Sequence, residues 1–169
     1  MSLSRGHEAL RRHRISLSGA TYFLTLCTQE RKPRLTCDPV AGAIRTEVAD
    51  IETSGHWTPR GAVIMPDHFH VLVTLGRTLP LGQVIARFKT KTRAALAGVG
   101  ARWQDNYYEH RLRPDEPVEN VLHYLYLNPY RNRLLPAHEV YPLFWLGAEE
   151  ANWFTPLLDD GRPFAEWLR

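Results

Sequence analysis

Residues 64–73 have the sequence IMPDHFHVLV, an apolar and β-branched run that carries two histidines, His68 and His70. This composition predicts a β-strand. Alternate residues of a strand point to the same face of the sheet, so both imidazoles are expected side by side while Phe69 points into a core. Two imidazoles at this spacing suit a divalent metal ion. In the alternative interpretation, one or both histidines are ordinary polar residues of a half-exposed strand.

A second informative segment, residues 120–135, shows the apolar spacing of an amphipathic helix. Tyr124 and Asn128 are four residues apart and therefore lie on one face of that helix. The Asn128 amide oxygen is a candidate third metal ligand, and the Tyr124 phenol is a candidate nucleophile for a phosphorus atom. Pro129 lacks an N–H, so we expect the helix to kink or restart near Asn128, with Asn128 as the N-cap of the new segment. Alternatively, Tyr124 is a packing aromatic and Asn128 only a cap.

The segments around these two motifs predict alternating strands and helices. Their patterns indicate strands at residues 20–28, 57–65, 68–75 and 107–112, and helices at residues 38–54 and 80–97. The order β-α-β-β-α-β, followed by the helix that contains Tyr124, predicts an α+β fold with a ferredoxin-like (split βαβ) antiparallel sheet. Helices cover one face of this sheet, and the helix that contains Tyr124 packs across the other, next to a central strand with His68 and His70.

Length and composition favour one globular domain without a membrane segment. The chain has 169 residues, of which 44% are hydrophobic and 23% charged, values typical of globular proteins. No apolar run is long enough for a membrane span, and the N-terminus lacks the apolar core of a signal peptide. Two cysteines, Cys27 and Cys37, are too few for a disulfide framework and lack the spacing of a zinc site. We therefore expect a cytoplasmic protein.

Charge is distributed unevenly along the chain. Residues 1–135 contain 19 of the 21 lysines and arginines but 12 of the 18 acidic residues. Residues 136–169 contain two basic and six acidic residues, together with many aromatic residues. We predict a basic, polyanion-binding domain over residues 1–135 and an acidic, aromatic-rich C-terminal extension over residues 136–169 that packs on it. The imbalance also fits a solvated surface without a ligand.

Residues 1–14 are rich in arginine and contain little that can build a core. We expect a basic arm that lies along the phosphate backbone of a nucleic acid or enters a minor groove, and a disordered terminus is the alternative. The helix at residues 80–97 and the segments around the helix that contains Tyr124 add further basic side chains. The candidate phosphate contacts, each of which is otherwise a solvated surface charge, are Arg5, Arg11, Arg12, Arg14, Arg87, Lys89, Arg111, Arg113 and Arg131.

Three motifs occur in an order that indicates a family. They are MPDHFHVL at residues 65–72, WQDNYYEH at residues 103–110 and YLYLNP at residues 124–129. Together they resemble the REP-associated tyrosine transposases, which belong to the single-tyrosine branch of the HUH nucleases. The resemblance covers roughly residues 14–135. The chain departs from the family pattern at residues 130–133, YRNR, which are bulkier and more basic than the family's usual small apolar run.

The resemblance implies a metal-dependent endonuclease and strand transferase for single-stranded DNA that carries hairpins, such as REP-like elements. It implies that Tyr124 forms a 5′-phosphotyrosine link, that Mg²⁺ or Mn²⁺ is held by His68, His70 and Asn128, and that the protein is a monomer or a homodimer. Two other functions stay open here. One is a non-catalytic ferredoxin-like nucleic-acid-binding module, for which aromatics rather than paired histidines are expected on the central strand. The other is a metal-dependent phosphodiesterase that uses water as the nucleophile.

Overall fold

A five-stranded antiparallel sheet forms the centre of residues 16–168, the part of the chain that the computed structural model describes. The strands are β1 (Thr21–Cys27), β2 (Trp57–Ile64), β3 (His68–Leu75), β4 (Tyr108–Arg111) and β5 (Phe144–Leu146), in the spatial order β4-β1-β3-β2-β5. The helices are α1 (Asp38–Thr53), α2 (Leu81–Gly98), α3 (Val118–Arg131) and α4 (Ala148–Phe154), with short 3₁₀ turns at Gln29–Arg31, Thr155–Leu157 and Ala165–Leu168. The predicted α+β fold is confirmed.

Strand β3 lies at the centre of the sheet, as its largely apolar sequence predicts. It pairs antiparallel with β1 on one side and with β2 on the other, and Thr25 of β1 stands opposite His70. Phe69 is completely buried and stacks on Phe88 of α2. His68 and His70 point to the opposite face, where both line a pocket. The period of two along a strand therefore separates the core residue from the two imidazoles.

Helices α1 and α2 cover the face of the sheet that carries Phe69. The apolar residues of α1 recur at helical spacing, and Val40, Ile44 and Ile51 are completely buried. Gly55, with a φ of +69°, takes the left-handed position that ends the helix. Burial of each such aliphatic side chain contributes about 1.5–3 kcal/mol, so this core holds β3 firmly in place. Neither these helices nor any other within residues 16–168 is long and apolar enough to cross a membrane.

Helix α3 packs across the opposite face of the sheet. Its Leu122 and Leu125 are completely buried in a cluster with Leu72 of β3. Gly61 of β2 permits the close approach of this helix, because a Cβ added there would lie 2.5 Å from a methyl carbon of Leu122. Strand β5 pairs with β2, and Phe154 of α4 is buried in the same cluster as α3. The sheet is thus covered on both faces, and α3 is fixed against its centre.

The predicted restart of the helix at Asn128 is wrong. Helix α3 continues to Arg131, and Asn128 lies inside it rather than at an N-cap. Pro129 comes close to the C-terminal end, so its missing N–H removes only the hydrogen bond to the Leu125 carbonyl. Burial of Leu125 and Tyr126 on either side of that carbonyl offsets the loss, because tertiary packing supplies most helical stability in proteins.

Candidate active site

A pocket of about 360 Å³ opens between the ends of β1 and β3 and helix α3. It is lined by Thr25, Cys27, Arg31, His68, His70, Tyr124, Asn128, Arg131 and Asn132. Three segments that are distant in sequence therefore meet in one place. The candidate metal ligands and the candidate nucleophile of the sequence analysis all lie in this pocket, together with one predicted DNA contact, Arg131.

His70 presents an unpaired ring nitrogen. Its side chain is 5% exposed, and its Nδ1 lies 2.8 Å from Thr25 Oγ1. Its Nε2 is buried without a hydrogen-bond partner in the described part of the chain. Burial, followed by the nearby His68 and Arg31, lowers the pKa of His70 to about 3. A neutral imidazole with one unpaired nitrogen is suited to bind a metal ion.

His68 is held by the residue that precedes it. Its Nδ1 lies 2.6 Å from Asp67 Oδ1. An ionised carboxylate only accepts hydrogen bonds, so Nδ1 donates to Asp67, and in a neutral ring Nε2 carries the lone pair. The rings of His68 and His70 are 4.5 Å apart between centroids, with an angle of 78° between their planes. A carboxylate behind a histidine is the usual arrangement that orients a metal ligand.

Asn128 supplies an oriented amide oxygen from α3. Its side chain is 5% exposed, and its Oδ1 accepts a hydrogen bond of 2.9 Å from Asn132 Nδ2. The same Nδ2 lies 2.9 Å from the Asn128 carbonyl oxygen. Asn132, four residues later, therefore contacts both the side-chain and the main-chain oxygen of Asn128 and fixes the amide. An amide oxygen has two lone pairs, and this hydrogen bond leaves one of them for a cation.

Tyr124 lies at the rim of the pocket. Its side chain is 42% exposed, and its ring makes edge contacts with His70 and Phe23 at centroid distances of 5.6 and 5.8 Å. Tyr126 points the other way: it is 3% exposed, its hydroxyl donates to the Gly161 carbonyl at 2.9 Å, and burial raises its pKa above the ordinary value. Of these two tyrosines, only Tyr124 is accessible to a large substrate that enters the pocket.

The donors in the pocket fit a divalent cation. Residues 16–168 contain no group of three or more His, Cys, Asp or Glu side chains that could hold a metal ion. The candidate ligands in this pocket are therefore the two imidazoles and the Asn128 oxygen. A mixed set of nitrogen and oxygen ligands suits Mn²⁺ somewhat better than Mg²⁺. The buried, unpaired Nε2 of His70 favours a bound ligand, because such a group costs about 1–3 kcal/mol when it has no partner.

Two predicted phosphate contacts lie outside the pocket and are engaged elsewhere. The guanidinium of Arg87 pairs with Glu47 at 3.4 Å, between the two helices on the other face of the sheet. The ammonium of Lys89 donates to the carbonyl oxygens of residues 104–106 at 2.6–3.1 Å. Lys89 therefore holds the loop that leads into β4.

The remaining predicted contacts fall into three groups. Arg131 lines the pocket from the last turn of α3. Arg111, at the end of the edge strand β4, and Arg113, just beyond it, are exposed. Four arginines lie outside the described residues: Arg5, Arg11, Arg12 and Arg14.

Sequence reasoning did not assign the pocket residues that come from β1 and the turn after it. Thr25 and Cys27 are two residues apart on β1, and they stand opposite His70 and His68 on the same face of the sheet. Once the pairing of β1 with β3 is known, the alternation along β1 predicts both residues in the pocket. Burial raises the pKa of the Cys27 thiol, so this group enters the pocket uncharged. No sequence pattern around Arg31 predicts its place in the pocket, because that place depends on the turn that follows β1.

Comparisons with known proteins agree with this architecture. The family described as "Transposase IS200 like" matches residues 16–126. The REP-associated tyrosine transposase of Escherichia coli K12 is 21% identical, over 79% of this chain and 89% of the relative. The solved structure of a REP-associated tyrosine transposase bound to a REP hairpin has the same fold, with a TM-score of 0.67, 18% identity, and coverage of 90% of this chain and 93% of that one. The chain therefore belongs to the IS200-like transposase family, whose members cleave and join DNA strands.

Proposed function

We propose that this chain is a metal-dependent endonuclease and strand transferase for single-stranded DNA that carries REP-like hairpins. The observation that carries the proposal is the convergence of Tyr124, His68, His70 and Asn128 in one pocket. An exposed phenol beside two oriented imidazoles and an amide oxygen is the set of groups that metal-assisted attack on a phosphodiester requires.

In the proposed reaction, the Tyr124 hydroxyl oxygen attacks the phosphorus of a DNA phosphodiester. The new P–O bond to Tyr124 forms while the bond from phosphorus to the 3′ oxygen breaks. The phenol proton passes to solvent, and the departing 3′ oxygen gains a proton, so that the products are a 5′-phosphotyrosine link and a free 3′-OH. A 3′-OH attacking the same phosphorus reverses these steps and joins a strand without ATP.

His68, His70 and Asn128 would hold Mg²⁺ or Mn²⁺ in this scheme. When bound, the ion neutralises charge on the non-bridging phosphate oxygens and helps to align the scissile bond. The chain keeps the ligand atoms in place through neighbours, since Asp67 fixes the ring of His68 and Asn132 fixes the amide of Asn128. Such supporting partners are typically worth about 10–100-fold in metal affinity or activity.

Two observations support the proposal of a hairpin substrate. One is the shared fold with the REP-associated tyrosine transposase that is bound to a REP hairpin. The other is the excess of basic over acidic side chains within residues 1–135, which favours binding of a polyanion. A DNA substrate also favours a cytoplasmic location, and we propose a monomer or a homodimer as the active form.

A gel experiment distinguishes the three candidate functions. The protein is incubated with Mn²⁺ and end-labelled hairpin oligonucleotides taken from the DNA that flanks its gene, and denaturing gels are scored for cleavage and for protein-linked label. Cleavage with a covalent adduct that EDTA prevents is the result we expect. Cleavage without an adduct would instead indicate water as the nucleophile, and binding without cleavage would indicate a non-catalytic module.

A further inference from the structure

Arg31 enters the pocket from the turn that follows β1. Its side chain is 55% exposed, its Nε lies 3.1 Å from Asp67 Oδ2, and its Nη1 lies 2.8 Å from Cys27 Sγ. The other oxygen of the same carboxylate holds His68. One carboxylate therefore orients both a candidate metal ligand and a guanidinium, and the two functional groups are fixed relative to each other.

The backbone that presents Arg31 is held in an unfavourable conformation. Glu30 and Arg31 have φ values of 57° and 54°, in the left-handed region that residues other than glycine rarely adopt. Each such residue costs on the order of 1 kcal/mol and persists only where its surroundings impose it. Thr28, which is completely buried, supplies that constraint: its Oγ1 lies 2.9 Å from the Lys32 carbonyl oxygen and 3.0 Å from the Asp67 carbonyl oxygen.

The ion pair of Arg31 with Asp67 does not account for this arrangement by itself. The guanidinium is largely exposed, and an exposed ion pair contributes about 0–1 kcal/mol to stability. A guanidinium also carries five N–H donors, and the contacts with Asp67 and Cys27 leave several of them for an anion. Arg131, from the last turn of α3, lines the same pocket and adds a second positive charge.

We propose that Arg31 binds the scissile phosphodiester by donating to its non-bridging oxygens, with Asp67 as the residue that positions it. This inference rests on the proposed function and assigns a phosphate-binding residue for that reaction. Arginine suits the task better than lysine, because its planar, always charged guanidinium can engage one carboxylate and one phosphate at the same time. Negative charge that develops on the phosphate during attack by Tyr124 is then stabilised by a group already in place.

The test is a double-mutant cycle that combines substitution of Arg31 with removal of the charge of the scissile phosphate. The scissile position is first mapped from cleavage by the wild-type protein. Binding is then measured in EDTA, where no cleavage is expected, with hairpin oligonucleotides that carry either a normal phosphate or an uncharged methylphosphonate at that position. The proteins are wild type, Arg31→Ala, Arg31→Lys and Arg34→Ala, the last of which removes the same charge from an exposed residue of the same loop.

For wild type and Arg34→Ala, we expect the methylphosphonate to weaken binding by about tenfold. For Arg31→Ala we expect weakening of less than about twofold, because the partner of the phosphate charge is already absent. With Mn²⁺ and saturating normal DNA, adduct formation by Arg31→Ala should slow by about 100-fold, with partial recovery in Arg31→Lys. Each methylphosphonate effect is a ratio within one variant, so a partly unfolded preparation does not alter it.

Two negative results would have different consequences for the proposals. If wild type forms an adduct but Arg31→Ala and Arg34→Ala show equal methylphosphonate effects, Arg31 does not bind the scissile phosphate and only this inference is overturned. If wild type forms no adduct with any hairpin, the proposed function itself is contradicted, and this inference is overturned with it.

Discussion

At the scale of single residues, each candidate metal ligand of the pocket has a neighbour that fixes its orientation. Thr25 contacts Nδ1 of His70, and Asp67 contacts Nδ1 of His68. Asn132 does the same for the amide oxygen on α3. With Nδ1 of each imidazole engaged in this way, the Nε2 atoms are left for a ligand in the pocket that both side chains line. Such fixed orientation is what a metal site needs, because ligands must be placed within a few tenths of an ångström.

Replacing His70 tests the metal site. In His70→Ala we expect cleavage of hairpin DNA to be abolished, while hairpin binding in EDTA stays within about twofold of wild type, because binding draws mainly on backbone charge. His138→Ala, a change at an exposed histidine outside the pocket, is the control and should retain both properties. Wild-type cleavage by His70→Ala would show that His70 is not a metal ligand.

At the scale of elements, the site depends on how closely α3 approaches the sheet. Tyr124 and Asn128 are carried by α3, whereas both histidines are carried by β3. The packing of Leu122 against Gly61 sets the separation of α3 from the sheet, so a change there alters the geometry of the pocket without touching its residues.

A single added methyl group at Gly61 should therefore act on both stability and activity. We expect Gly61→Ala to lower the free energy of unfolding by about 1–3 kcal/mol, because Leu122 is completely buried and has little room to move, and to slow adduct formation. Gly82→Ala, on the exposed side of α2 with open space around it, should leave stability unchanged or raise it by up to about 1 kcal/mol. Urea unfolding of both variants decides between these outcomes, and equal stabilities would contradict the packing argument.

Tyr141 ties the segment after α3 to the end of β2, and this hydrogen bond predicts a dependence of stability on pH. Its hydroxyl donates to the Ile64 carbonyl at 2.7 Å, and burial raises its pKa to about 12 from 10.0. The unfolded chain therefore loses this proton first as the pH rises. The stabilisation is complete below about pH 10 and disappears as the pH rises through about 12, with a decrease of about 1 kcal/mol between about pH 9 and pH 11. In urea unfolding, the stability of Tyr141→Phe should fall less over that interval than that of wild type, and an equal fall would refute the assignment.

At the scale of the whole molecule, we expect charge to govern DNA binding. Residues 1–135 hold most of the basic residues, and 1–14 alone contain four arginines. Deleting residues 1–14 should weaken hairpin binding and flatten its salt dependence, by about 0.9 in the log–log slope for each duplex phosphate that these residues neutralise in the full chain. The rate of adduct formation at saturating DNA should stay the same, because Tyr124 and the candidate metal ligands lie elsewhere in the chain. A slope that equals that of the full chain would show that residues 1–14 bind no phosphates.

The parts of the site that sequence could predict are those encoded within one element. The spacing of His68 and His70 on a strand, and of Tyr124 and Asn128 on a helix, follows from local periodicity. Arg31 could not be predicted, because its place depends on a strained turn and on long-range hydrogen bonds between β1 and the start of β3. The predicted restart of α3 at Asn128 is wrong because a local rule for proline was outweighed by burial against the sheet.

The central claim is that Tyr124 is the nucleophile, and mass spectrometry of the trapped protein–DNA adduct tests it most directly. Wild-type protein is allowed to react with hairpin DNA and Mn²⁺, digested with protease and nuclease, and sequenced. We expect the nucleotide phosphate on Tyr124 and no adduct in Tyr124→Phe, whereas Tyr108→Phe, which alters another exposed tyrosine near Phe23, should still form it. An adduct that persists in Tyr124→Phe, or a modified peptide that lacks Tyr124, would contradict the proposed mechanism.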